Sequence, residues 1–189
     1  MDEIVDIFAK DGTKTGERLL KEDAIKQGKL IKAFQIWILN DKNQVLIEVR
    51  STGKLHDAGM FDLCSGHVQS GEEELTAVKR EVIEELGANA IKNEEFSKVL
   101  KVDSIFCDFR KYSRDGNYII PWYILKLNRT IPNQDFNLQV EEVSEVKWID
   151  YEKVKEMIKN PNENFRIPYN ENQMKEIMPK IDKLVYERK

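Results

Sequence analysis

Apolar and polar positions alternate along much of the chain, and the alternation divides it into short extended pieces and a few helical ones. Residues 4–8 alternate and run into Asp11-Gly12, a hairpin-forming dipeptide, and a second extended piece follows over 15–20. Residues 21–27 predict a turn or two of helix, stopped by Gly28. Residues 33–39 (AFQIWIL) and 44–49 (QVLIEV) predict strands joined by the loop Asn40-Asp41-Lys42-Asn43. A loop over 51–59 leads to a short strand over 60–64. Farther on, 98–109 and 118–127 predict two strands joined by a turn at 114–117, with an edge or a bulge at Pro121 because proline cannot donate to a ladder. Another strand is predicted over 143–149. A helix over 151–159 is closed by Asn160-Pro161, and a last helix covers 172–188, with Pro179 kinking or starting it. Strands alternating with two or three helices place the chain in the α/β or α+β class.

Between the strand at 60–64 and the one at 98–109 the pattern changes to GHVQSGEEELTAVKREVIEELGA. Ser70 and Glu73 fit a capping box and Gly87 fits a helix end, which predicts a helix over 71–86. At about 100° per residue, Leu75, Val78, Val82 and Leu86 share one stripe, the predicted core face. Glu81, Glu84 and Glu85 stand at i, i+3 and i+4 and cluster on a neighbouring face. Their mutual repulsion costs a few tenths of a kcal/mol per pair, and the C-terminal end of the helix dipole opposes them further. A divalent cation with oxygen ligands would relieve both effects. An acidic solvated face with Arg80 paired to Glu84 is the plainer account of a glutamate-rich helix, and only the full spacing argues against it.

Composition narrows the classes of function. The 189 residues suit one domain, 41% of them hydrophobic and 34% charged. A net charge of −4 and a pI of about 5.4 exclude a bulk electrostatic grip on nucleic acid or an anionic membrane. Cys64 and Cys107 form no CxxC pair, so free thiols in a reducing compartment are expected. The acidic start MDEIVDIFAKDG does not resemble a signal peptide, and no run approaches the ~20 apolar residues of a membrane span. The expected location is cytoplasmic. No internal repeat, low-complexity segment or linker stands out.

The spacing Gly66-x5-Glu72-x7-Arg80-Glu81-Val82-Ile83-Glu84-Glu85-Leu86-Gly87-Ala88 resembles the Nudix box, departing only at the last aliphatic position, the small Ala88. The flanking strands suit a Nudix domain over most of the chain. The resemblance implies an α/β/α sandwich with a mixed sheet, and a single domain over 1–189. Within it, residues 1–30 form an N-terminal hairpin and helix extension, 31–160 the core and 161–189 a C-terminal helix. The implied activity is that of a pyrophosphohydrolase using Mg²⁺ or Mn²⁺ to cleave a phosphoanhydride bond in a nucleoside diphosphate derivative or nucleotide. Carried over by position, Glu81, Glu84 and Glu85 bind metal with help from the Gly66 carbonyl, Arg80 orients Glu81, and Glu72 is a structural or outer partner. Glu81 is the implied general base. Glu141 or Glu142, just before the strand at 143–149, is the alternative base, although a surface turn is the plainer account of both. The implied partner is a small diphosphate substrate, with no nucleic acid and no membrane; a homodimer stays open, since dimers are frequent in the family.

The segments VDIFAKDGTKTGE, GKLIKAFQIWILN, VLIEVRSTGK and FDLCSGHV further resemble the isomerase-like branch of Nudix proteins, which includes isopentenyl-diphosphate isomerase. Isomerisation is therefore the runner-up. Against it, the isomerase cysteine before Gly-His is Ser65 here, a metal-binding histidine is Lys32, and a later Glu-x-Glu strand reads Asn117-Tyr118-Ile119-Ile120-Pro121. His67 is shared, but a loop hydrogen bond explains a lone histidine as well. Arg50 and Lys54 lie where this branch contacts a diphosphate, and arginine suits a bidentate grip on phosphate; a solvated loop is the bland alternative. Trp37, Trp122, Tyr123 and Phe109 could stack a base, but aromatic residues at strand spacing belong more often to a core. Cys64 reads as a small core residue. A non-catalytic nucleotide-binding module is a third possibility, weakened because no box glutamate is missing.

Overall fold

A computed structural model describes residues 3–54, 57–109, 116–160, 164–166 and 171–187. The N-terminal hairpin pairs β1 (Ile4–Phe8) with β2 (Lys14–Leu20), and a short α1 (Lys21–Lys26) leads into β3 (Leu30–Leu39). Then come β4 (Gln44–Arg50), β5 (Phe61–Asp62), β6 (Cys64–His67) and α2 (Glu74–Leu86). A 3-10 turn at Asn93–Lys98 precedes β7 (Leu100–Asp108) and β8 (Asn117–Lys126), and β9 (Val143–Asp150), α3 (Tyr151–Lys159) and α4 (Glu171–Tyr186) complete the order.

The strands form one mixed sheet organised around β3. Along one edge β3 runs parallel to β8; along the other it meets β1, β6 and β4 in antiparallel pairs. Alternation divides its side chains between two cores. Ile31, Trp37 and Leu39 face a core closed by Ala24 of α1, Val154 and Met157 of α3, and Ile177, Ile181 and Val185 of α4. Phe34, Ile36 and Ile38 face a second core closed by Ala77, Val78, Val82 and Leu86 of α2. The layers are therefore helix, sheet, helix, the sandwich that the box resemblance implies. No described helix is long and apolar enough to cross a membrane.

Several local expectations are corrected. Helix α2 begins at Glu74 rather than residue 71, and Ser70 does not cap it: its hydroxyl donates instead to Asp6 Oδ1 of β1 at 2.7 Å. Leu75 falls outside the buried stripe and is 52% exposed, while Glu85 lies inside it. The strand predicted at 60–64 is two short strands, because β5 pairs with β4 and β6 with β3. Pro121 lies on an interior strand, between β3 and β7, so it is not at an edge. The other alternative, a bulge, is the one found: pairing to β3 passes from Lys32–Ile119 to Gln35–Trp122, and β7 shifts register opposite Trp122. The last helix continues through Pro179 without restarting. Arg114 and Asp115 of the predicted turn, Pro161 and Arg188 lie outside the described residues.

Candidate active site

Three elements converge at the C-terminal half of α2. Strand β6 brings Cys64 to Gly66, α2 brings Arg80 to Glu85, and β4 brings Glu48. Pairing of β6 with β3 aligns Gly66 opposite Phe34 and presses the loop against the helix. A β-carbon at position 66 would stand 2.4 Å from Glu81 Cγ and 2.6 Å from Glu81 Oε1, so only glycine leaves room for this carboxylate.

Arg80 is the hub of the surface layer. Its Nε and Nη2 donate to Glu72 Oε1 and Oε2 at 3.0 and 3.1 Å, and Nη2 also donates to the His67 carbonyl at 3.0 Å. Its Nη1 reaches Glu81 Oε1 at 3.0 Å and Glu84 Oε2 at 3.3 Å. Glu72 additionally accepts the Gln69 backbone N–H at 3.1 Å. A planar guanidinium can serve four partners at once, which a lysine ammonium cannot do with fixed geometry.

The box glutamates separate by depth. The Glu84 side chain is 51% exposed, that of Glu81 12%, and Glu85 is buried against the sheet. Cys64 donates its S–H to Glu85 Oε2 at 3.3 Å. Glu48 completes a triangle: one donor atom from each of Glu48, Cys64 and Glu85 lies within 4.8 Å of the others. Glu48 sits there by strand parity. Val45 and Ile47 face the first core, and Leu46 faces the second, as Glu48 must two residues later. Its Oε1 is buried with no hydrogen-bond partner among the described residues. Sequence reasoning missed Glu48 and saw in Cys64 only a core residue. The available signal was a carboxylate inside the apolar run QVLIEV.

Burial dominates the electrostatics of this group. It pushes the Glu48 carboxyl up to about 8, with the Asp62 charge adding to the effect. Burial and then Glu48 raise the Glu85 carboxyl, and the same two causes in the same order raise the Cys64 thiol. Glu81 is raised by burial, which outweighs Arg80. Packed carboxyl groups of this kind either keep their protons or receive a cation. The donor set thus fits a divalent ion.

The other predicted residues surround this cluster. Lys54 pairs with Glu142, whose charge is felt at Glu85, whereas Glu141 is exposed. Arg50 lies 3.7 Å from Asp62, which Arg166 also grips at 2.7 Å. Burial and then Lys21 hold the His67 imidazole down at about 4. Lys32 donates to Glu74 at 2.7 Å. Trp37, Trp122, Tyr123 and Phe109 are all buried. A cavity of about 420 Å³ opens at the other end of α2, lined among others by Asp6, Lys14, Lys32, Glu74, Lys101 and Tyr123. Neither Glu81, Glu84 nor Glu85 lines it, so this cavity and the carboxylate cluster are in different places.

The NUDIX domain family model matches residues 29–168. Nudix hydrolase 3 of Arabidopsis thaliana is 29% identical over 175 residues, 90% of this chain and 22% of that protein, so the chain spans only a fraction of that relative. Isopentenyl-diphosphate Delta-isomerase 2 of Photorhabdus laumondii is 27% identical over 168 residues, 85% of this chain and 84% of that one. Among solved structures, DR0079 from Deinococcus radiodurans superposes with a TM-score of 0.67 at 19% identity, covering 94% of this chain and 98% of that one.

Proposed function

The chain belongs to the NUDIX domain family, and from that premise we propose that it is a pyrophosphohydrolase, dependent on Mg²⁺ or Mn²⁺, that cleaves a phosphoanhydride bond in a nucleoside diphosphate derivative or nucleotide. The observation that carries this reading is the Arg80–Glu81 pair at 3.0 Å, seated over a glycine with no room for a side chain. Glu81, Glu84 and Glu85, with the Gly66 carbonyl, are the residues that would hold the ion. When bound, it neutralises diphosphate charge and acidifies a coordinated water. The same proposal takes 1–189 as one Nudix unit, with 1–30 and 161–189 as its terminal additions.

The chain's own part is positioning and proton transfer. Glu81 accepts the proton of the attacking water, and its partial burial strengthens it as a base. Arg80 fixes that carboxylate, and Glu72 with the His67 carbonyl fixes Arg80. Arg50 and Lys54 would exchange Asp62 and Glu142 for phosphate oxygens as substrate enters. Glu142, released from Lys54, is then the nearer alternative base.

The isomerase-named relative keeps a second reading alive. Ser65 at the cysteine position, Lys32 committed to Glu74, and the apolar β8 over Ile119–Pro121 weigh against it. A panel of nucleoside diphosphate derivatives, nucleotides and isopentenyl diphosphate separates the readings, assayed by phosphate release with added pyrophosphatase and by an isomerisation readout. Hydrolysis of a nucleoside diphosphate derivative or nucleotide, abolished by Glu81→Gln and Glu84→Gln, is the expected result. Isomerisation without hydrolysis would overturn the proposal, and metal binding with no turnover would favour a binding module.

A further inference from the structure

We propose that Glu48, Cys64 and Glu85 form a mixed carboxylate–thiolate cation site, selective for borderline-soft divalent ions such as Zn²⁺ or Co²⁺. It is more deeply buried than Glu81 and Glu84, and it shares Glu85 with the carboxylates that would take Mg²⁺. The inference uses Glu85 as a cation ligand, in common with the proposed hydrolase, but it does not depend on hydrolysis.

Two of these three residues lie outside the glutamate helix. Glu48 comes from β4 and Cys64 from β6, and the sheet brings them under α2. Each offers one donor within 4.8 Å of the other two. The Cys64 Sγ to Glu85 Oε2 separation of 3.3 Å is close to the ~3.6 Å between a sulfur and an oxygen on one tetrahedral ion, given metal–ligand bonds of about 2.3 and 2.1 Å.

The independent indication is Glu48. It is 5% exposed, and its Oε1 has no hydrogen-bond partner among the described residues. A buried carboxylate left in this state is costly to the fold. Nearby positive charge is divided: the Arg50 charge is felt at Glu48, but Arg50 and Arg166 both face Asp62 on the adjoining strand. A cation between Glu48, Cys64 and Glu85 supplies what the protein does not.

Ligand chemistry decides which cation. Mg²⁺ takes oxygen ligands in a near-octahedral shell, and thiolate does not suit it. Thiolate with carboxylate suits Zn²⁺ and Co²⁺, which accept four ligands and leave one position open with three protein donors. Binding displaces the thiol proton and any carboxyl protons to solvent, so charge and protons balance without a co-reactant.

The test is absorption spectroscopy of the full chain, stripped of metal and titrated with Co²⁺. A thiolate-to-metal charge-transfer band saturating at one equivalent is expected in the wild type. Cys107→Ser should retain the band and Cys64→Ser should lose it. Glu48→Gln should weaken Co²⁺ affinity by about 10-fold or more, at least the loss caused by removing a group that only supports a ligand. Absence of the band in the wild type at saturating Co²⁺, its persistence in Cys64→Ser, or its loss in a folded Cys107→Ser would each overturn the site. The wild-type and Cys107→Ser spectra decide even if Cys64→Ser fails to fold. A band in protein without phosphoanhydride turnover would leave this site standing and count against the hydrolase; turnover without a band would do the reverse.

Discussion

Position 66 is where one methyl group decides the geometry. An alanine there would drive its β-carbon into the Glu81 side chain. Gly66→Ala should therefore lower kcat by about 100-fold or more, consistent with the cost of misplacing a catalytic group by about 1 Å. Its circular dichroism and thermal unfolding should remain close to wild type, and wild-type turnover would show that the placement of Glu81 is unimportant. Glu48 makes the opposite prediction. Its carboxyl is held near 8 by burial, so at neutral pH the folded protein bears the burden of keeping it protonated. Glu48→Gln should stabilise the metal-free protein by about 1–3 kcal/mol in urea denaturation, while reducing its stabilisation by added divalent ion. At this scale the grouping of Arg80, Glu81, Glu84 and Glu85 was legible because one helix fixes their spacing. Glu48 was not, because only sheet parity brings it beside Glu85. Ser70 was misassigned for a similar reason: its acceptor, Asp6, is supplied by a strand 64 residues earlier.

Among the elements, the start of α2 is held by a charge network rather than by the predicted capping box. Glu74 accepts hydrogen bonds from Lys32 of β3 and Lys101 of β7, each at 2.7 Å, and from the Tyr123 hydroxyl of β8. Burial alone would raise this carboxyl, but the bonds from Lys101, Lys32 and Tyr123 outweigh it and hold it down at about 2. The folded value lies below the unfolded one, so the stabilisation is complete above about pH 5 and is lost as pH falls toward 2. Wild-type stability should consequently drop more steeply over that window than the stability of Glu74→Gln. At neutral pH the variant should be destabilised by about 1–2 kcal/mol, allowing for partial exposure of the group. Parallel acid-dependence curves for the two proteins would remove Glu74 from this role. Most strands were legible from alternation alone, and the helices from their periodicity. The interior placement of β8 was not, because its apolar run and Pro121 together also describe an edge strand with one poor donor.

For the whole molecule, the sheet separates the core under α3 and α4 from the core under α2, beside which the proposed site lies. Helix α4 contributes Ile177, Ile181 and Val185, spaced at i, i+4 and i+8, to the face opposite α2. Ile181→Ala should thus cost about 2–4 kcal/mol of stability in urea denaturation, through lost burial and a cavity. Its kcat, at a temperature where it stays folded, should stay within about twofold of wild type; a large loss of kcat would mean that α4 reaches the chemistry. The sandwich and its hairpin extension could be anticipated from element order and the box, whereas no periodicity revealed which face α4 would cover. The central claim, that the Arg80–Glu81 pair and its neighbouring carboxylates perform metal-dependent phosphoanhydride hydrolysis, is tested most directly by returning Mg²⁺ to metal-stripped protein with a nucleoside diphosphate derivative. Turnover should appear with Mg²⁺ in the wild type and fall by about 10²-fold or more in Glu81→Gln. Equal turnover in the two proteins, or turnover in the wild type without any divalent ion, would contradict it.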